Sequence, residues 1–101
     1  MSEIQMMSLE SSPSGVMSLM QKWINYLQLK VTKVESWERH SHGAYAFQFT
    51  LPNQSGLNLY AVSCFVPRPQ NRTEVFTLIT DAGSIDQGKW ELAELVRNLQ
   101  H

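Results

Sequence analysis

The chain has 101 residues, of which 43% are hydrophobic and 17% charged, and its formal net charge is −1 at pH 7. This balance is typical of one globular domain and excludes a highly charged, disordered chain. The eight basic and nine acidic residues are scattered along the sequence. Because no basic stripe could neutralise a row of phosphates, nucleic acid is not an expected partner.

The sequence shows no targeting or membrane-spanning segment. The N-terminus lacks a basic patch followed by an apolar run, and no apolar stretch approaches the roughly 18 residues that cross a bilayer. Cys64 is the single cysteine, so an internal disulfide is excluded. We therefore predict a cytoplasmic protein without membrane insertion.

The first predicted element is a helix that follows a flexible N-terminal tail over residues 1–11, and residues 12–101 are predicted to form a single domain. Pro13 suits the first turn of a helix, and Ser12 before it is a suitable N-cap. The helix itself is indicated by apolar residues at helical spacing, which are Val16, Leu19, Met20, Trp23, Ile24 and Leu27.

Four strands are predicted after this helix. The first, at about residues 31–37, is rich in β-branched residues but alternates imperfectly, which favours an edge strand or a bulge. The second alternates cleanly from Ala44 to Leu51, whereas the third, Leu57 to Val66, and the fourth, Val75 to Thr80, are apolar on both faces. Two neighbouring strands without a polar face indicate that both sides of the sheet are covered.

The connections and the last helix also have recognisable residue types. Residues 40–43 are predicted to form a turn, and residues 67–72, with two prolines, are predicted to form an exposed connection. A second helix is predicted after Asp81 or Ser84, either of which could cap it. Its buried stripe consists of Ile85, Leu92, Leu95, Val96 and Leu99.

Together these elements predict an α+β fold in the order α-β-β-β-β-α. The sheet is expected to be four-stranded and antiparallel because the connections are short, with an N-terminal and a C-terminal helix flanking it. The two helices could cover opposite faces, or they could share one face while a partner covers the other. The sequence leaves both arrangements open.

The pattern from Val16 to Leu99 resembles the later part of PsbP-like domains: an apolar helix, a strand, the turn His42-Gly43 before an aromatic strand, a two-sided strand, the strand 74–80 and a terminal helix. This broad family includes the photosystem extrinsic subunit, the DcrB-like bacterial proteins and the adaptor chaperones of type VI secretion effectors. The resemblance implies protein binding without enzymatic activity. No motif matches residue for residue, so no functional residue is carried over.

His40 and His42 are the first candidates for a metal site, because an H-x-H pair on an extended segment places both rings on one side. Two ligands are too few, and the spacing of Glu38 or Cys64 does not require either to complete the set. We interpret both histidines as residues of a surface turn and predict neither a metal nor a cofactor.

Cys64 could serve as a nucleophile only if its pKa were lowered and a base were oriented beside it. It lies between Val62 and Val66 on an apolar strand face. A neutral thiol in that position packs as a small hydrophobic side chain, so we predict that Cys64 belongs to the core.

Trp37 and Trp90 are the tryptophans that could reach the surface, whereas Trp23 lies on the helical stripe and is predicted to be buried. For Trp90, packing back onto the sheet edge is the open alternative. Exposed aromatic residues are enriched where proteins meet. With Arg68 and Arg72 of the proline-rich connection, Trp37 and Trp90 are the predicted partner-binding residues.

The sequence therefore predicts a non-catalytic protein-binding domain, such as a cytosolic adaptor or chaperone, that acts through a sheet face or edge and could form a homodimer. One alternative is a small-ligand-binding protein or enzyme whose pocket contains His40, His42, Tyr45, Tyr60 and Cys64. Another alternative is an immunity-type protein that inhibits a second protein.

Overall fold

A computed structural model describes residues 2–51 and 59–99. Its elements in chain order are β1 (Ser2–Glu10), α1 (Val16–Leu27), β2 (Lys30–Ser36), β3 (Tyr45–Thr50), β4 (Leu59–Arg68), β5 (Arg72–Asp81), a short 3₁₀ helix (Ala82–Ser84) and α2 (Ile85–Asn98). Within these residues, five strands form one antiparallel sheet in the order β1-β5-β4-β3-β2. The two edges of the sheet are therefore β1 and β2.

The predicted four-stranded sheet is wrong, although the α+β class is confirmed. The additional strand is β1, which occupies the segment predicted to be a flexible tail. It pairs with β5 from Ser2 opposite Thr80 to Glu10 opposite Arg72. The sequence shows no apolar alternation for this strand, because its side chains are almost all exposed and a strand without a buried face does not alternate.

The two helices cover opposite faces of the sheet, which answers the question that the sequence leaves open. On one face α1 packs against the strands through a cluster whose buried members are Met20, Phe47, Phe49, Ala61, Phe65 and Val75. On the other face α2 packs through a cluster that includes Ala46, Val62, Cys64, Val66, Phe76, Leu78, Leu92 and Val96. Because each face has its own helix, β4 and β5 are apolar on both sides, as predicted.

Local geometry differs from the prediction at the start of α1 and in the β4–β5 connection. Gly15, with φ +97, takes the N-cap position, while the Ser12 hydroxyl accepts from the backbone N–H of Ser14 at 3.3 Å. Pro67 is exposed, as predicted, but it belongs to β4 and not to the connection. The β3–β4 ladder ends at Phe65, so beyond that point β4 has only β5 beside it and tolerates a proline.

β2 is an edge strand with a register shift between Val31 and Lys33, which confirms the predicted irregularity. Between residues 2 and 51 and between 59 and 99, no helix is long and apolar enough to span a membrane.

Gly88 brings the backbone of α2 close to Leu78 of the sheet. A Cβ at this position would lie 2.8 Å from Cδ2 and 3.0 Å from Cδ1 of Leu78, whose side chain is fully buried. Because Leu78 is fully buried and any shift of its methyl groups would press on other core side chains, Gly88→Ala is expected to lower the free energy of unfolding by about 1–3 kcal/mol. This loss occurs although alanine favours a helix by about 1 kcal/mol over glycine.

Urea denaturation of a double-mutant cycle tests this contact. In a Leu78→Ala background the clash is gone, so Gly88→Ala should there be neutral or stabilising. Equal costs of Gly88→Ala in the two backgrounds would show that the approach of Gly88 to Leu78 does not limit the packing of α2.

Candidate functional site

The turn between β2 and β3 separates its two histidines. Gly43, with φ +75, donates its N–H to Glu38 Oε2 at 2.7 Å, and His42 Nδ1 lies 2.6 Å from Glu38 Oε1. These contacts, led by the Gly43 N–H, lower the pKa of the Glu38 carboxyl. The His42 side chain is 94% exposed, whereas His40 is half-buried and packs edge-on against Trp37 with ring centroids 5.2 Å apart.

Because the turn is not extended, the expected same-side geometry of an H-x-H pair does not arise. Neither Glu38 nor Cys64 joins the two imidazoles: Glu38 contacts His42, and Cys64 is buried under α2. In the described parts of the chain, no group of three or more His, Cys, Asp or Glu side chains is placed to hold a metal ion.

The other residues of the alternative small-ligand pocket also lie apart. Cys64 is fully buried, and this burial raises the pKa of its thiol to about 12, so the thiol is neutral near pH 7. Tyr60 lies at another part of the sheet, in a small cavity with Ala82 and Ile85. Tyr45 packs in the cluster beneath α1, on the opposite face from Cys64. Tyr45 and His42 line one cavity of about 520 Å³, but His40, Tyr60 and Cys64 do not line it, so the five side chains do not share one pocket.

Of the predicted partner-binding tryptophans, Trp90 is at the surface and Trp37 is not. The Trp90 side chain is 59% exposed. Trp37 is 4% exposed, and its indole Nε1–H donates to Glu35 Oε1 at 3.0 Å. Trp37 therefore packs in the cluster beneath α2 and has little surface to offer a partner.

The two predicted arginines make contacts that hold the fold together. Arg68 Nη1 donates to the carbonyl oxygen of Leu99 at 2.8 Å, which ties the end of α2 to the β4–β5 hairpin. Arg68 Nε also lies 3.8 Å from Glu74 Oε1. Arg72 donates from Nε and Nη2 to the Ser8 hydroxyl at 3.2 and 2.9 Å, which fastens β1 to β5.

Glu35 is the centre of an ionic network on the α2 face. Its carboxylate lies 2.8 Å from Lys89 Nζ and 3.2 Å from Lys33 Nζ, and it accepts the indole N–H of Trp37. Burial alone would raise the pKa of Glu35, but the hydrogen bonds from Lys89, Trp37 and Lys33 outweigh burial and lower the pKa to about 2. The carboxylate therefore stays charged and joins β2 to α2.

β1 is the surface that the sequence did not reveal. It is a nine-residue edge strand whose side chains, except the half-buried Leu9, are exposed. Ile4, Met6 and Met7 are 36%, 67% and 43% exposed. Three apolar side chains therefore lie along one edge, with part of each outside the core.

The register shows which backbone groups of β1 are free. Ser11, one position beyond β1, donates its N–H to the carbonyl oxygen of Asn71 at 2.7 Å, in the same register as the rest of the pair. Hydrogen-bonded positions alternate along an antiparallel pair, so the odd-numbered residues of β1 face β5. The residues whose N–H and C=O groups point outward are Ser2, Ile4, Met6, Ser8 and Glu10.

The two edges of the sheet differ in how they are protected. β2 has a register shift and the basic side chains of Lys30 and Lys33, which are devices that discourage pairing with another chain. β1 keeps one register along its whole length and contains no Lys, Arg or Pro, and its charges are Glu3 and Glu10 near its two ends. β1 is thus the edge that is open to strand addition.

Comparison with known proteins gives a likeness of fold. No protein-family model and no curated protein matches the chain. Among solved structures, the chain is similar to the crystal structure of PA94, a protein of unknown function from Pseudomonas aeruginosa that is described as a candidate regulator. The TM-score is 0.55 at 14% identity, and the match covers 94% of this chain and 80% of that chain. At this identity the likeness shows the fold alone.

Proposed function

We propose that the protein is a non-catalytic protein-binding domain that accepts an extended segment of another chain along the free edge of β1. The observation that carries the proposal is the row of outward-pointing N–H and C=O groups on β1, a nine-residue strand in one register that contains no Lys, Arg or Pro. In sheet-edge addition, main-chain hydrogen bonds supply affinity, and alternate side chains supply specificity. On β1 the alternate apolar side chains on one face are Ile4 and Met6, and Met7 lies on the other face.

The occupant that we propose for this edge is β1 of a second copy of the chain. In a two-fold antiparallel pairing, residues whose N–H and C=O groups point outward in one copy pair with the outward-pointing residues of the other copy. Met6 opposite Met6 satisfies this condition and places Ile4 opposite Ser8. The same register places Glu3 opposite Leu9, so like charges do not face each other. The pairing would satisfy the free backbone groups of both copies and continue the sheet from one copy into the next.

The separation of the reactive groups supports binding over catalysis. The Cys64 thiol is buried and neutral, and His40 and His42 diverge, so a nucleophile and a base do not meet there.

We also propose a cytoplasmic location, in which this thiol stays reduced. An immunity-type inhibitor would use the same edge with a different occupant. The resemblance to PsbP-like and DcrB-like proteins stays a prediction, and the proposal does not depend on it.

Proline at Met6 tests the proposal. Met6 does not donate its N–H to β5, so Met6→Pro removes one outward donor and leaves the β1–β5 ladder intact. The variant is expected to fold and to remain monomeric under conditions in which the unmodified chain forms dimers. Size-exclusion chromatography with light scattering over a concentration series measures the masses.

A proline on the other edge is the matched control. Trp37 donates its N–H to Ala44, so by the same alternation Val34 of β2 points its N–H outward. Val34→Pro should therefore dimerise like the unmodified chain. A protein that is monomeric throughout the series, or a Met6→Pro variant that still forms dimers, would contradict pairing through β1.

A further inference from the structure

A cleft of about 310 Å³ lies between α2 and the β2–β3 turn. It lies near the β2 edge of the sheet, and β1 forms the other edge. Its walls include the basic side chains of Arg39, Lys89 and Arg97 and the indole rings of Trp37 and Trp90. The protein-binding proposal does not use this cleft.

The charges around the cleft do not balance. Among its lining residues Glu35 is the one acid, and its carboxylate is already held by Lys89 and by Lys33. Arg97 contacts Glu94, one turn earlier on α2. Arg39 has an exposed side chain and makes no ion pair with any residue in the described ranges. The cleft therefore has positive charge in excess, and Arg39 is free to bind an anion.

His40 lies within the field of these basic groups and is itself a wall of the cleft. Its pKa is lowered, first by burial and then by the charges of Arg97 and Arg39, which outweigh the opposing effect of Glu35. Its Nδ1 is buried and has no hydrogen-bond partner within the described part of the chain. An anion in the cleft would offset the positive field at this imidazole.

The remaining wall of the cleft favours a ligand with an apolar body. Trp90 is 59% exposed although it lies beside charged groups, and Trp37, which packs edge-to-face with His40, lines the same cleft. An exposed indole offers a flat face for an aromatic or planar group. Lys89 and Arg97 each already contact a carboxylate, so Arg39 is the lining cation without an ion pair in the described ranges, and its single charge matches that of a carboxylate.

We propose that this cleft binds a carboxylate attached to an aromatic or planar group, with Arg39 and Arg97 as donors to the carboxylate and Trp90 as the surface for the ring. Arginine is suited to this role because its planar guanidinium matches a carboxylate in two parallel hydrogen bonds. The carboxylate could belong to a free organic acid or to an acidic side chain beside an aromatic residue in a peptide.

Phenylacetate is the probe for the free acid, and its neutral analogue phenylacetamide is the control. NMR titration should show saturable shifts of the Trp90 indole N–H with phenylacetate, and phenylacetamide should bind at least about tenfold more weakly. The measured pKa of His40 should rise on binding, because the anion favours the charged imidazole over the neutral one. The charged groups that act on His40 or line the cleft with it are Glu35, Arg39, Lys89 and Arg97. To separate their effects on His40, the same titration is repeated in variants of the two arginines.

Arg39→Gln and Arg97→Gln should each weaken phenylacetate binding by about fivefold or more. Lys22→Gln removes an equal charge from the exposed side of α1, across the sheet from α2, and should leave the affinity unchanged.

A capped Phe-Asp dipeptide separates the two sources of the carboxylate. Tighter binding than phenylacetate indicates a peptide, and weaker binding indicates a free acid. Equal binding of acid and amide, equal effects of Lys22→Gln and Arg39→Gln, or no saturable shift would overturn the proposal.

Discussion

Replacement of Phe47 by alanine is expected to lower the free energy of unfolding by about 3–5 kcal/mol. Phe47 is fully buried beneath α1, and its ring lies 5.4 Å from that of Phe49 and 5.9 Å from that of Phe65, measured between centroids. Helix and strands meet around this side chain, so they cannot close the cavity that its removal leaves. Urea denaturation followed by circular dichroism measures the loss.

Met17→Ala is the control for this prediction. Met17 belongs to α1, which covers Phe47, but its side chain is 50% exposed. Its replacement should change the stability by no more than about 0.5 kcal/mol. If Phe47→Ala cost less than about 1 kcal/mol, the cluster between α1 and the sheet would not be a packed core.

Glu35→Gln is expected to lower the free energy of unfolding by about 2 kcal/mol at pH 7. The Glu35 carboxylate is half-buried, and its contacts with Lys89, Lys33 and Trp37 outweigh the effect of burial and lower its pKa from 4.5 to about 2. Partial exposure to solvent screens these contacts, so the expected loss is smaller than the pKa difference alone would give. A carboxyl whose folded-state pKa lies below its unfolded-state value stabilises the fold above the unfolded-state value. This contribution should disappear as the pH falls from about 4.5 to 2, since the proton then binds the folded state as well.

Stability measured against pH shows whether Glu35 has this effect. The unmodified protein should lose stability between pH 4.5 and 2, and Glu35→Gln should flatten that part of the curve. Glu10→Gln, at the exposed end of β1, should shift the stability by no more than about 0.5 kcal/mol. A Glu35→Gln curve parallel to that of the unmodified protein would mean that the network around Glu35 does not stabilise the fold.

The elements with a buried face could be predicted from the sequence. The apolar stripe of α1 begins and ends where the helix does, at Val16 and Leu27, because a helix that covers a sheet must repeat its apolar residues at helical spacing. The two-sided apolar pattern of β4 and β5 correctly indicated that both faces of the sheet are covered. In each case the burial itself leaves a pattern in the sequence.

β1 could not be predicted because its stability comes from a partner that is distant in the chain. Its ladder joins Ser2 to Thr80, and such pairing leaves no local pattern when the side chains on both faces are exposed. β1 is also the proposed binding edge. The regular stretch without Lys, Arg or Pro is the one signal in the sequence that could have indicated it.

The predicted binding residues show a second limit of sequence reasoning. Trp90 falls outside the buried stripe of α2 and is exposed, which is consistent with a surface role. Trp37 and the arginines have residue types that are common at interfaces, yet their polar groups bind Glu35, Leu99 and Ser8 within the chain. Residue type does not reveal such contacts, because they depend on which elements meet in the fold.

Amide hydrogen exchange along β1, read residue by residue by NMR, tests the proposed edge most directly. At low concentration the amides of Glu3, Gln5 and Met7 should be protected by β5, while those of Ile4 and Met6 exchange freely. As the concentration rises and dimers form, the amides of Ile4 and Met6 should become protected. Dimers in which these two amides still exchange freely would contradict pairing through β1.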